Sequence, residues 1–411
     1  MTSSSKSPAD SHYKRALWAV ITLGVVVRLV LAFTTDGIPY DLEAFRLVSN
    51  ALVTAPSRVY ALVNDGPGYP RWPYPPGYFV IILATRGVRN LTELDFLSLM
   101  RIPPIAADAA IGWVIQDFLG WRGVDHRSRL AAAGLVVLGP SFVVISGFHG
   151  QFDSVAILPA VVALAFWERT ENRRRPVVVG ALIGVASAVK TVPLLMLLAL
   201  LPSSRSRGEG ITLLASAAVA PILIGFPVLL TEGTGWLRVL RYNGVPGLGG
   251  ISLVAQPALA LDWLGVGHAQ LSSVSQALFD GSHLITVTAL LLAGTLLLRY
   301  RASAALAAVV VWLTVYVFGV NFFMQYMVWG IPFFLLAGYV RAVFVLETVL
   351  LAPVLVLYLG TSHPWLAKVF YVSPMLTVWA IMAIVLVLVT RRLVAGTGGT
   401  VAATTSDDAW K

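Results

Sequence analysis

The chain has 411 residues, 57% of them hydrophobic and only 12% charged, with a formal net charge of +9 and no cysteine. An ordinary soluble domain carries about twice that charged fraction, and the missing cysteines exclude disulfides, thiol catalysis and Cys-based zinc sites. With a mean hydropathy of +0.81, the excess positive charge belongs to the cytoplasmic loops of a membrane protein, and no nucleic-acid partner is expected.

The polar start "MTSSSKSPADSHYKR" reads as a disordered cytoplasmic tail over residues 1–13, without the small-residue cleavage site of a signal peptide. Long apolar runs then recur over residues 14–395, continuous rather than alternating, which predicts an all-α polytopic membrane protein and not a β-barrel. The first run, 16–33, leads out of the cytoplasm. Residues 34–96 follow as an external juxtamembrane segment, in which Leu42, Phe45, Val48 and Leu52 share one face of an amphipathic helix, 42–53, lying along the membrane surface. The apolar stretch 74–88 is shorter than the roughly 20 residues a span needs. Counting it as a span would put "ENRRR" (171–175), "SSRSR" (203–207), "RYR" (299–301) and "RR" (391–392) outside. The positive-inside rule therefore makes it re-entrant or interfacial.

Spans are predicted next at 97–120, 130–147, 152–168, 176–191, 192–202, 211–230, 284–299, 302–320, 325–340, 343–360 and 374–390. With the first run this is about twelve transmembrane helices and two cytoplasmic termini, by the length and charge rules for spans. Residues 176–202 are either one long helix or two short ones, with Pro193 favouring a break. Residues 231–283 form a second external loop, and 396–411 a second disordered tail. The remaining polar clusters then fall together on the external side, above a single transmembrane domain.

Asp41, in "PYDLE", has two readings: the N-cap of the external helix, or a general base at the lip of a cavity. Asp41 and Glu43 are two residues apart and face nearly opposite ways on a helix, so they form no carboxylate dyad. In "FHGQFDS", His149, Gln151 and Asp153 alternate between two phenylalanines, as an exposed turn with Asp153 capping the next helix or as a substrate-binding cluster. His149 and Asp153 alone are too few to hold a metal, and neither metal nor cofactor is expected. Lys190 sits in an apolar stretch, as a snorkelling side chain or as a point charge for a phosphate. Arg101 and Asp108, seven apart on one helix face, read as interhelical ion-pairing groups, with a phosphate contact by Arg101 as the alternative. Gln325 and Tyr326 open a span in "NFFMQYMVW", as an aromatic anchor or a substrate contact.

The acid after the first span, the external amphipathic helix, "HGQFDS", "KTVP" and "QYMVW" together resemble the polytopic glycosyltransferases of the C superfamily. Within these, residues 14–395 resemble family 87, the polyprenol-phosphate-mannose-dependent mannosyltransferases. The resemblance implies a polyprenyl-phosphate-mannose donor and a membrane-anchored phosphatidylinositol mannoside acceptor, the tetramannoside. It implies an inverting transfer that forms an α-1,2 linkage at the extracytoplasmic face of the plasma membrane, with Asp41 as base. Lys190, His149 and Arg101 would supply positive charge to the leaving phosphate, and Gln151 a hydrogen bond to a sugar hydroxyl or the phosphate. A lipid or polysaccharide transporter of the same composition is the rival class. Transporters tend to show two related halves, and no repeat relates 1–200 to 201–411.

Overall fold

The computed structural model describes residues 8–64, 70–233, 277–278, 280–319, 324–358 and 368–396. Among the described residues there are helices and turns and no strand. The long helices, in chain order, begin with α1 (Pro8–Thr34), α2 (Pro39–Thr54), the short α3 (Val59–Asn64), α4 (Phe79–Thr92) and α5 (Phe96–Met100). Next come α6 (Ile102–Trp121), α7 (His126–Val137), α8 (Pro140–Phe142), α9 (Asp153–Arg169), α10 (Arg175–Val189), α11 (Met196–Leu200) and α12 (Arg207–Glu232). The chain closes with α13 (Ser282–Tyr300), α14 (Ala304–Phe318), α15 (Met327–Leu336), α16 (Val340–Tyr358) and α17 (Ser373–Val394). α1 begins at Pro8, so the second half of the expected N-terminal tail is helical. Residues 1–7, most of the 231–283 loop and the tail beyond 396 lie outside the described residues.

Seven segments are long and apolar enough to cross a bilayer: 10–34, 96–121, 126–149, 207–232, 282–300, 340–358 and 369–394. Each of the twelve expected spans is largely helical, but the others are shorter than a full crossing. The reason is visible in α14 and α15, whose residues are almost all buried inside the bundle. A helix apolar all round belongs in a core. α12, α13 and α17 instead expose Ile222, Leu223, Leu291, Leu292, Ile384 and Leu388, as lipid-facing helices must. The stretch 74–88 becomes a 3₁₀ turn and α4, a 14-residue helix that is not one of the seven. Residues 176–202 break in two, because Lys190 is extended (φ −150°, ψ 135°) and Pro193 starts a 3₁₀ turn. α10 packs closely on α12 through glycines four apart. A Cβ on Gly180 would lie 2.5 Å from the Leu213 carbonyl oxygen, and one on Gly184 2.6 Å from that of Ala217.

Buried charges tie together the ends of several helices. Arg28 of α1 pairs with Asp108 of α6 at 3.2 Å, both 1% exposed. It also donates to Ser146 (2.9 Å) and to the terminal carbonyls of α7 at Val136 (2.9 Å) and Val137. Asp108 accepts as well from Ser154 of α9. Five segments therefore meet on one interhelical ion pair, in which Arg28 is the partner of Asp108. Arg101 is itself buried and donates to the carbonyls of Leu31 (3.3 Å), Ala32 (3.0 Å) and Thr35 (3.0 Å), closing the C-terminus of α1. An uncompensated buried charge costs about 3–5 kcal/mol. Asp108→Leu should therefore lower the thermal unfolding temperature of the detergent-solubilised protein sharply, and Arg28→Met with Asp108→Leu should recover part of the loss.

Candidate active site

α2 carries the expected amphipathic pattern, and Leu42, Phe45 and Val48 are fully buried with Leu52 partly so. Their face is covered by protein rather than left to the membrane surface. Phe45 meets Trp72 at 5.8 Å, Tyr78 at 5.9 Å and Phe152 at 6.0 Å between ring centroids. Phe152 also stacks on Tyr78 (4.2 Å, 22°) and on Trp72 (5.6 Å, 15°). The "RWPYPPGY" aromatics thus form a core that clamps α2 to the "HGQFDS" turn. The N-cap of α2 is Ile38, with Pro39 opening the helix, so Asp41 stands inside the first turn and is not the cap. Its carboxylate reaches out of the helix instead.

The turn that meets it is shaped by a π-helical segment, Val143–His149, ended by Gly150 in the left-handed region (φ 83°). A side chain at Gly150 would be strained and would strike Leu42, with a Cβ 2.5 Å from Cδ2. The backbone N–H groups of Gly150 and Gln151 both donate to the Ile145 carbonyl, at 3.0 and 3.1 Å. This geometry turns His149 toward α2. Its Nε2 lies 2.6 Å from Asp41 Oδ2 and its Nδ1 2.8 Å from the Tyr358 hydroxyl. A carboxylate only accepts, so Nε2–H donates to Asp41, while Nδ1 faces the Tyr358 hydroxyl on the other side of the ring. Tyr358, at the end of α16, was not legible in sequence: it is one aromatic in the apolar run "LVLYLG". Glu43 points away, half exposed, with Arg46 at 3.4 Å.

Asp41 remains partly open, its side chain 30% exposed. Burial alone would push its carboxyl up. The hydrogen bond and charge of His149, a hydrogen bond from Gln151 and the charge of Lys190 outweigh that and hold it below its ordinary value.

Lys190 and Asp153 pair directly, both buried. Asp153 is the first residue of α9, whose cap position is Phe152, so it too is not a cap. Trp329 Nε1 donates to the same Asp153 oxygen at 2.5 Å. The Lys190 ammonium sits among the rings of Tyr74 (4.9 Å), Trp329 (5.2 Å) and Phe152 (5.6 Å). Tyr326 stacks on Trp329 (4.1 Å, 27°) and takes a hydrogen bond from Gln325. Among the described residues, two buried acceptors stay unpaired beside this cluster: Gln151 Oε1 and Asp153 Oδ2. The chain therefore gathers Asp41, His149, Gln151, Asp153, Lys190, Gln325 and Tyr326, with Tyr358 and Trp329 added. Arg101 is drawn off to α1. No three His, Asp or Glu side chains converge as metal ligands among the described residues.

A model of glycosyltransferase family 87 matches residues 72–324, more than half of the chain. The chain belongs to glycosyltransferase family 87. No curated protein matches it. The matched part of this membrane glycosyltransferase contains the "HGQFDS" turn and Lys190, while Asp41 and Tyr358 lie outside it and are joined to it through His149. For a glycosyltransferase the cluster offers an ionised carboxylate open on one side, two unpaired acceptor oxygens for hydroxyl groups and flat aromatic faces for a sugar ring. All of it depends on the aromatic clamp. Truncating a core Phe costs about 3–5 kcal/mol. Phe152→Ala should lower the unfolding temperature and red-shift the tryptophan emission as Trp72 becomes wet.

Proposed function

We propose that this family 87 glycosyltransferase transfers a sugar from a polyprenyl-phosphate carrier to a membrane-anchored glycolipid, with Asp41 as the general base. The observation that carries the reading is the 2.6 Å bond from His149 to a carboxylate that still opens outward. The donor is polyprenyl-phosphate-mannose, the acceptor a phosphatidylinositol mannoside, and the product an α-1,2-linked mannoside. These finer assignments rest on the family resemblance. Arginines on the "ENRRR", "SSRSR", "RYR" and "RR" turns support a cytoplasmic face opposite the cluster, which puts the reaction on the extracytoplasmic side of the plasma membrane.

In the transfer, the acceptor hydroxyl gives its proton to Asp41 while its oxygen bonds to the anomeric carbon. The bond from that carbon to the phosphate oxygen breaks on the opposite face, and the electron pair leaves with polyprenyl phosphate. Attack and departure on opposite faces invert the configuration, from β to α. A phosphate is a good leaving group and needs no general acid, only positive charge and hydrogen-bond donors. His149 fixes the carboxylate, and Tyr358 fixes the orientation of the His149 ring. Gln151 donates to Asp41, which leaves its carbonyl for a sugar hydroxyl.

A positioned base is worth roughly 10²–10⁴ in rate. Asp41→Asn should lose about that factor in mannose transfer from polyprenyl-phosphate-mannose, again of the order of a general base's contribution, while Glu43→Gln stays near the parent. Full turnover in a folded Asp41→Asn enzyme would sink the assignment.

The reaction needs Asp41 ionised, so turnover should rise with pH through its pKa. Because that pKa is held low, the acid limb should lie below the ordinary carboxylate range. His149→Gln removes the largest stabiliser of the charged form and leaves burial to act, so the acid limb should shift to higher pH. A profile unmoved by His149→Gln would disconnect the two residues.

A further inference from the structure

A leaving phosphate presents acceptor oxygens only, so it needs donors around it. The cations near Asp41 differ in what they have left to give. Lys190 is closed by Asp153 and ringed by Tyr74, Trp329 and Phe152. Arg101 is 1% exposed, with Nη1 turned onto the carbonyls of α1 and Nε buried without a partner among the described residues, so it is enclosed among the helices. Arg46 lies between Glu43 (3.4 Å) and Asp95 (3.6 Å). On the described residues that meet Asp41 and Lys190 directly, the unpaired buried atoms are Gln151 Oε1 and Asp153 Oδ2, both acceptors, while the unpaired Trp72 Nε1 and Tyr78 hydroxyl belong to the aromatic clamp. The two acceptors repel phosphate oxygens and suit sugar hydroxyls, which donate. The inner cluster is therefore built for the sugar, and the phosphate has to be received elsewhere.

Arg71 meets the requirement. It is half-buried, immediately before the aromatic clamp. Its guanidinium lies 3.9 Å over the Tyr40 ring, and Nη1 donates to the Tyr40 carbonyl at 3.1 Å. Tyr40 is the residue before Asp41, and consecutive Cα atoms are about 3.8 Å apart. The cation is thus tied to the base's own backbone neighbour. Among the described residues Arg71 has no carboxylate partner, and one carbonyl uses only one of the five N–H donors of a guanidinium. The ring beneath it fixes the plane of the fork without consuming those donors. A guanidinium held over the ring of the base's chain neighbour, with N–H donors to spare among the described residues, suits the bidentate geometry of a phosphate.

We infer that Arg71 is the residue that receives the phosphate of the lipid-linked sugar, and that the Lys190–Asp153 pair serves the sugar instead. The inference rests on the polyprenyl-phosphate reading above. In the transfer it places the positive charge where the electron pair of the broken bond arrives, on the phosphate.

The test uses the full chain in nanodiscs carrying Asp41→Asn, so that nothing turns over. Tryptophan fluorescence is titrated with polyprenyl phosphate, with the uncharged polyprenol and with phosphatidylinositol. The ratio of affinities for polyprenyl phosphate and polyprenol isolates the phosphate. Hydrogen bonds to a charged group predict that Arg71→Gln lowers this ratio by about tenfold or more, with polyprenol binding unchanged. Arg71→Lys keeps the charge without the fork and should fall between the two. It also decides the matter if Arg71→Gln does not fold, because a Lys variant with the parent's ratio overturns the inference. An unchanged ratio in folded Arg71→Gln overturns it, and so does a ratio that collapses in Lys190→Met instead. Loss of phosphatidylinositol binding alone assigns Arg71 to the acceptor's phosphate and overturns it as well. A parent that binds polyprenyl phosphate no better than polyprenol removes the donor reading itself, a result distinct from any change at Arg71.

Discussion

The candidate cluster depends on one packing event, the docking of α2 onto Phe152. Phe152 lies between His149 and Asp153 in the chain and is stacked on Tyr78 and Trp72, with Phe45 of α2 at its edge. Aromatic rings bury large apolar areas and prefer these offset and edge-on arrangements. The same contact therefore stabilises the segment that carries α2 and sets the distance between a carboxylate on α2 and an imidazole on the turn. Without it, Asp41 and His149 belong to elements 108 residues apart with no reason to meet.

A second constraint comes from placing charge where water is scarce. Arg28 and Asp108 neutralise each other, Lys190 and Asp153 do the same, and Arg101 saturates one helix end. Glu347, buried in α16, accepts from the backbone N–H of Ser141 at 3.1 Å and from its hydroxyl. These groups are consumed in holding helices together or in balancing one another. Asp41 differs because its carboxylate is only partly covered and is stabilised chiefly by hydrogen bonds and the charge of neighbours. Groups closed on themselves hold the scaffold, and Asp41 is left partly open.

Much of the architecture was legible because a membrane leaves few options. Backbone polar groups must be satisfied within the segment, so continuous apolar runs become helices, and the twelve runs did. The amphipathic face of α2 was readable from its spacing, and the break before Pro193 from the stiffness of proline. The short lengths of α14 and α15 were not, because an apolar run has the same composition whether lipid or protein surrounds it. Asp41 and Asp153 both carry the residue type of a helix cap, and propensity alone favours that role. Tertiary partners overrode it in both cases.

By itself the sequence determined the class of the protein, its helices and the polar motifs from which a site had to be built, since hydropathy and local backbone preference are properties of neighbouring residues. Only the tertiary structure decided who pairs with whom. Asp108 took Arg28 of another helix, and Asp153 took Lys190. Asp41 took His149, and His149 took Tyr358 from the far end of the chain. Pairing is decided by which side chains are brought within about 3 Å and shielded from water, the range over which a hydrogen bond forms. That is a property of packed helices and not of residue spacing.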